Sequence, residues 1–176
     1  MSFLKRLLSL FGESSRKHAA QDPAQEPAAA PTDETAGMPR AEAVEEYETL
    51  SRFILNKRWI SKKDGKVFAD AFMPHPRERP WQTSVYRVDT LTEEERWAVG
   101  EKVRGSRAEN LKGRADVTAG AVVSVKPLRT VPTPVGEAAP LLHVDIEGWP
   151  DEPEAQRMLA TQIAEAARLI RLPSAT

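Results

Sequence analysis

The stretch LLHVDIEGWPDEPEAQRMLATQIAEAARLIR, residues 141–171, decides the fold class, because a strand pattern runs into a long helix pattern. Its first six residues, Leu141–Ile146, alternate and predict a strand with its even-numbered side chains on the apolar face. A Gly-Trp-Pro bend follows. A strand that leads directly into an amphipathic helix is typical of a helix packed on a sheet.

The helix predicted after this bend covers about Glu152–Arg171. Asp151 and Glu154 have the spacing of a capping box at its start, and Pro173 would stop it. Its apolar side recurs at three- and four-residue spacing, in Ala155, Leu159, Ile163, Ala166 and Ile170.

The remaining patterns extend this arrangement toward the N-terminus. A helix is predicted from Ala41, and Ser51–Ile60 either finishes it or forms a first strand. The other predicted elements are strands over Val67–Met73 and Thr83–Asp89 that form a hairpin, a helix over Glu93–Val103 opened by a capping box of Thr92 and Glu95, and a strand over Ala121–Lys126. Together they predict an α+β fold, a small two-layer domain with a mainly antiparallel four-stranded sheet and two to three helices.

Residues 1–12, MSFLKRLLSLFG, have the pattern of a short amphipathic helix. At 100° per residue Lys5, Arg6 and Ser9 lie opposite a continuous apolar face. That face consists of Phe3, Leu4, Leu7, Leu8, Leu10 and Phe11. We expect this helix to dock on an anionic membrane surface or in the groove of a partner protein. The alternatives are a helix packed on its own domain and an end that nothing orders.

The segment 13–39 has the composition of a disordered linker. Ala, Pro and acidic residues dominate it, and no large apolar residue occurs between Phe11 and Met38. Such a segment cannot bury enough surface to offset its ordering entropy. The predicted organisation is therefore helix, linker, one domain over 40–173 and a short tail, 174–176.

Composition excludes several classes of protein. The 176 residues include no cysteine, which excludes disulfide scaffolds, thiolate catalysis and cysteine-ligated metals. The lack of cysteine also fits a reducing compartment, so we expect a cytoplasmic protein, peripheral at the inner face of the membrane where residues 1–12 bind lipid. With three histidines far apart in sequence, neither a metal nor another cofactor is expected.

His143 and Asp145 are the first candidate for chemistry. Residues two apart on a strand share a face, and a carboxylate can orient and charge an imidazole. In the catalytic interpretation His143 acts as general acid or base and Asp145 orients it. In the alternative, which is favoured, both belong to a solvated strand face.

The second candidate is a basic block. From residue 52 to 114 the chain carries 15 Lys and Arg against 9 Asp and Glu, with aromatic residues among them. Cations interleaved with aromatics suit phosphate or single-stranded nucleic acid, although such a block is often merely solvated. Nucleic acid is thus possible but not favoured. The candidate phosphate-binding residues are Lys57, Arg58, Lys62, Lys63, Arg77, Arg79, Arg87 and Arg114.

Several short motifs over about 50–167 resemble a set of small bacterial proteins without assigned activity. They are Ser51-Arg52-Phe53, Ser61-Lys62, Ala71–Pro74, Ser84–Arg87, Gly113–Asp116, and His143 with Ile146 and Gly148-Trp149-Pro150. The resemblance implies a bacterial cytoplasmic protein and transfers no catalytic residues.

The sequence therefore favours a non-enzymatic interaction or accessory module, tethered through residues 1–12 to a membrane surface or a larger partner. The alternative is a small enzyme or phosphate-binding protein in which His143, Asp145, Arg87 and Arg114 line one pocket. The oligomeric state is not predicted.

Overall fold

The computed structural model describes residues 42–75, 80–134 and 139–173. In these ranges the strands form one antiparallel sheet in the order β4-β5-β2-β1-β3-β6, which confirms the α+β class. The sheet has six strands where four were predicted. The elements are β1 Thr49–Ile54, β2 Thr83–Arg87, α1 Glu93–Arg104, β3 Gly113–Thr118, α2 Ala119–Ser124, β4 Arg129–Pro132, β5 His143–Glu147, α3 Pro153–Ala166 and β6 Arg168–Arg171.

Helices cover both faces of the sheet, so the predicted two-layer arrangement is wrong. Leu50 and Ile54 of β1 point into the main core, which also contains buried residues of α2 and α3. Phe53 points the opposite way and packs against Val99 of α1 and Leu111. Because side chains alternate along a strand, these two clusters must lie on opposite faces. We call the side of Phe53 the α1 face.

The helix predicted from Ala41 is absent from residues 42–56. Tyr47, which the helical pattern placed on the apolar side, is 78 % exposed, and Glu48 is buried instead. Glu48 accepts a hydrogen bond from the backbone N–H of Glu45 at 2.8 Å, which closes a turn before β1. Of the two alternatives for Ser51–Ile60, the strand is observed, with a 3₁₀ turn after it.

The strand predicted over Val67–Met73 is also wrong. Val67 alone pairs, across an isolated bridge to Ile60, and a 3₁₀ turn follows over Ala69–Ala71. Ala71 and Phe72 are buried in succession, which breaks the alternation that a strand requires. The predicted hairpin with Thr83–Asp89 does not form, because β2 pairs with β1 and β5.

The third predicted strand, Ala121–Lys126, is wrong, because its first four residues belong to helix α2 and its last two follow the end of that helix. The Thr118 hydroxyl caps this helix by accepting from the backbone N–H of Ala121 at 3.2 Å. Val122 and Val125 are buried at three-residue spacing and fill the main core. A run of β-branched residues was mistaken for a strand, whereas the strand is the preceding segment, β3.

Helix α3 ends at Ala166 rather than at Arg171. Residues 168–171 form β6, in which Leu169 and Ile170 pair with Ala115 and Arg114 of β3. The predicted capping box is not formed either, since Glu152 is the N-cap and makes no side-chain bond there.

Two local predictions are confirmed. Helix α1 begins at Glu93 with the capping box of Thr92 and Glu95, and its end is one residue beyond the predicted one. The strand predicted over Thr83–Asp89 is observed as β2, which ends two residues earlier, at Arg87. The predicted N-terminal helix, linker and C-terminal tail lie outside the described residues.

The two edges of the sheet are short strands. β4 ends in Pro132, which has no N–H to donate, and β6 begins and ends in exposed arginines, Arg168 and Arg171. The sheet therefore offers little regular backbone at either edge.

Candidate functional site

His143 and Asp145 do lie side by side on the α1 face of β5. Both are buried, with 6 % and 2 % of their surfaces exposed, so the favoured prediction of a solvated strand face is wrong. His143 Nδ1 lies 2.8 Å from the Thr133 carbonyl oxygen, and its Nε2 lies 3.9 Å from Asp145 Oδ1. The Asp145 carboxylate accepts hydrogen bonds from the hydroxyls of Thr133 at 2.7 Å and Ser84 at 3.1 Å. We call these four residues and the adjacent Tyr86 the His143 cluster.

The hydrogen bonds of the His143 cluster hold the imidazole in place within the protein rather than presenting it to a substrate. Nδ1 donates to the Thr133 carbonyl, and Nε2 lies 3.9 Å from Asp145 Oδ1, so both ring nitrogens face groups of the protein. A general base needs a ring nitrogen directed at a substrate. The Tyr86 ring packs edge-on against the imidazole at 5.2 Å between centroids, and burial raises the pKa of Tyr86. The cluster thus ties β4, β5 and β2 together.

Arg114 lies on the same sheet face in a second group, the Arg114 cluster. It forms a two-pronged pair with Glu93 of α1, at 2.8 and 2.9 Å, and its Nε lies 3.1 Å from both oxygens of Asp116. The guanidinium stacks over the ring of Trp97 at 4.6 Å, and the Ser51 hydroxyl donates to Asp116. Arg114 is only 2 % exposed, so it joins helix to sheet and is not available to a phosphate.

Arg87 lies on the other face of the sheet. Its neighbour Tyr86 is opposite His143 in the register, and adjacent strand residues point in opposite directions. Arg87 Nε and Nη2 lie 2.6 and 2.8 Å from the two oxygens of Glu48, and Nη1 donates to the Glu42 carbonyl. The structure therefore does not bring the four residues of the pocket hypothesis together.

The two clusters are linked in a row that sequence reasoning missed. The register places His143 opposite Tyr86, Tyr86 opposite Ser51, and Ser51 opposite Asp116. Cross-strand partners share a face of the sheet, so these four residues form a row across four strands on the α1 face. A signal existed in Arg114-Ala115-Asp116, which has the same two-residue spacing as His143-Val144-Asp145, but the strand assignment missed β3.

Arg52 fills a break in the sheet. The β1–β2 ladder stops after Ser51, and the Arg52 guanidinium donates to the carbonyls of Ala71 at 2.9 Å and Ser84 at 2.7 Å. Burial lowers the pKa of Arg52, and the guanidinium also lies 5.9 Å from the Trp59 ring centre. The Arg52 guanidinium thus takes the place of missing backbone hydrogen bonds, and these contacts give it a structural role.

A cavity of about 310 Å³ opens where β5 ends. Trp81 Nε1 donates to Asp151, Trp149 Nε1 donates to the Ile146 carbonyl, and Arg129 pairs with Glu147 at 2.8 Å. Its lining residues are Pro80, Trp81, Arg129, Glu147, Gly148, Trp149 and Asp151. Its polar wall groups bond to the protein itself, so no ligand class follows from them.

The remaining predicted cations form an exposed surface. Residues 57–68 fold as a small hairpin in which Ile60 pairs with Val67 and the Ser61 N–H donates to the Lys66 carbonyl at 2.8 Å. We call it the basic hairpin. It carries exposed Lys57, Arg58, Lys62, Lys63 and Lys66. Among the described residues, none of these five has a carboxylate oxygen within 4 Å.

Two predicted cations, Arg77 and Arg79, lie outside the described residues. Within the described ranges no group of three or more His, Asp or Glu residues could hold a metal ion. No helix of the described chain is both long and apolar enough to cross a membrane.

Comparisons with known proteins give no match to a protein family, to a curated protein or to a solved structure. The resemblance to small bacterial proteins therefore stays a prediction, and the function is argued from the residues alone.

Proposed function

We propose that the protein is a non-enzymatic interaction module, tethered through residues 1–12 to a membrane surface or to a larger partner. The observation that carries the proposal is that the side chains considered for catalysis or phosphate binding are hydrogen-bonded or ion-paired within the protein. Arg87 is bonded to Glu48, Arg114 to Glu93 and Asp116, and His143 to Thr133. Side chains committed to internal bonds support a role in holding the fold.

An anionic membrane is the partner that the charges favour. In a helical projection of the sequence of residues 1–12, the apolar side chains fall opposite Lys5 and Arg6, which is the pattern of helices that lie in the interface of anionic lipids. A single helix of this length binds weakly, so further contacts would strengthen the association. A partner protein with an apolar, acidic groove would satisfy the same pattern.

The test is flotation of the full chain with vesicles of phosphatidylcholine that contain phosphatidylserine. Leu8→Gln should weaken binding about ten-fold or more, because burying a leucine side chain contributes roughly 1.5 kcal/mol or more. Ser9→Gln introduces the same side chain at a position on the opposite side of the predicted helix, where no apolar group is lost, and should alter binding less than about two-fold.

Equal effects of Leu8→Gln and Ser9→Gln would contradict an oriented amphipathic helix. A chain that ignores anionic vesicles, yet forms a defined complex that Leu8→Gln disrupts, would assign residues 1–12 to a protein partner instead.

A further inference from the structure

We propose that the basic hairpin is a second membrane contact, which seats the folded domain on the anionic lipid surface. This inference rests on the proposed function and adds to it a docking face and an orientation. In this inference the folded domain itself contacts the lipid surface and is not held there only through the segment 13–39.

The charge of the basic hairpin suits anionic headgroups. Five exposed cations occur within ten residues, against one acid, Asp64. Arg171 of β6 adds a sixth, since its Nη2 lies 3.7 Å from the position that a Cβ on Gly65 would occupy. Each cation held close to an anionic leaflet contributes on the order of five-fold in affinity.

The backbone of the hairpin holds these cations in place. The Ile60–Val67 bridge closes its base, and the Asp64 carboxylate accepts from the Lys66 N–H at 3.2 Å in the turn. Gly65 adopts a φ of 70°, which glycine takes without steric cost. A preformed array loses less conformational entropy on binding than a flexible basic tail does.

Phe68 indicates lipid as the surface that the hairpin meets. It is 47 % exposed at the base of the basic hairpin, and its backbone N–H is bonded to the Trp59 carbonyl at 2.8 Å. An aromatic ring beside cations can enter the headgroup layer while the cations meet phosphates.

Single-stranded nucleic acid fits this surface less well. It is bound by several aromatic rings on which successive bases stack. Within residues 57–68, Trp59 is half-buried and has the Arg52 guanidinium near its ring, which leaves Phe68 as the one exposed aromatic side chain. One ring among many cations matches a membrane surface better.

The first experiment measures the affinity of the full chain for phosphatidylserine vesicles. We expect Lys62→Gln and Lys63→Gln each to weaken binding about five-fold. The matched control is Lys126→Gln, which removes an exposed cation after α2 and should change binding less than about two-fold.

The second experiment reports orientation independently of affinity. The chain has no cysteine, so an environment-sensitive dye can be attached at Lys63→Cys or, as control, at Lys126→Cys. On addition of anionic vesicles, the dye at 63 should shift to the blue and be shielded from an aqueous quencher. The dye at 126 should stay accessible.

The outcomes separate this inference from the proposed function. If Leu8→Gln abolishes vesicle binding but the lysine variants and the dye at 63 show no effect, the hairpin contact is wrong and the tether stands. If the wild-type chain does not bind anionic vesicles, the hairpin contact is wrong, and the tether stands only if residues 1–12 bind a partner protein, as a complex disrupted by Leu8→Gln would show. If Lys62→Gln weakens binding of a single-stranded oligonucleotide but not of vesicles, the hairpin serves nucleic acid and the inference is overturned.

Discussion

Glu93 is the residue through which α1 is joined electrostatically to the sheet. The hydrogen bond with Arg114 holds the pKa of the Glu93 carboxyl below its ordinary value, against an opposing effect of desolvation, and the nearby charges of Arg114 and Arg96 add to the lowering. The ionised form is thus favoured in the folded state. A carboxyl with a lowered pKa stabilises the fold above its ordinary pKa and loses that contribution as pH falls through the lowered value.

We therefore expect Glu93→Gln to lower the free energy of unfolding at neutral pH. The difference from wild type should shrink as pH falls below the ordinary glutamate pKa of about 4.3 and through the lowered pKa of Glu93, where its carboxyl becomes protonated. Urea denaturation at a series of pH values measures it. Glu94→Gln, on the exposed side of the same helix turn, is the control, and an equal pH dependence for both variants would contradict the assigned role of Glu93.

At the residue scale, the sequence could predict neighbours on one strand but not partners across the fold. Period-two spacing is sufficient to place His143 beside Asp145, and they do meet. Glu48, the partner of Arg87, is 39 residues away, and Glu93, one of the two acidic partners of Arg114, is 21 residues away, so local patterns contain no information about these two pairs. The catalytic role of His143 stays untested, while its geometry supports a structural one.

Elements were predicted correctly where local bonds specify them. The start of α1 is set by its own capping box, and the prediction is confirmed. β6 could not be predicted, because its four residues continue the apolar pattern of α3 and become a strand only by pairing with β3. In α2, the cap at Thr118 overrides the strand preference of its valines.

The contact of α1 with β1 leads to a prediction at the element scale. A Cβ on Gly100 would lie 2.8 Å from both Phe53 Cδ1 and Leu111 Cδ2, which are in a tightly packed cluster. Gly100→Ala should therefore lower the free energy of unfolding by about 1–2 kcal/mol, although alanine is the better helix former by roughly 1 kcal/mol.

The Leu111→Ala background tests the cause of that loss. Removing the leucine methyl groups creates room, so Gly100→Ala should cost less there than in the wild type, and a double-mutant cycle measures the coupling. The same cost in both backgrounds would show that contact with Leu111 is not responsible.

At the scale of the whole molecule, the residues named in both hydrophobic clusters belong to the described ranges. We expect a chain that begins at Pro39 to have a free energy of unfolding within about 0.5 kcal/mol of that of the full-length protein. Residues 13–38 have almost no apolar surface to bury, and residues 1–12 are proposed to dock on a surface outside the domain. Urea denaturation of both chains measures this. A loss above ~2 kcal/mol would mean that residues 1–38 pack on the domain.

The short edge strands β4 and β6 have a further consequence if the protein accumulates on a lipid surface. Molecules confined to two dimensions collide far more often than in solution, and open strand edges would then join neighbouring copies into aggregates. Pro132 at one edge, and Arg168 with Arg171 at the other, oppose such pairing. These three residues at the edges of the sheet would thus let many copies gather on a membrane without pairing edge to edge.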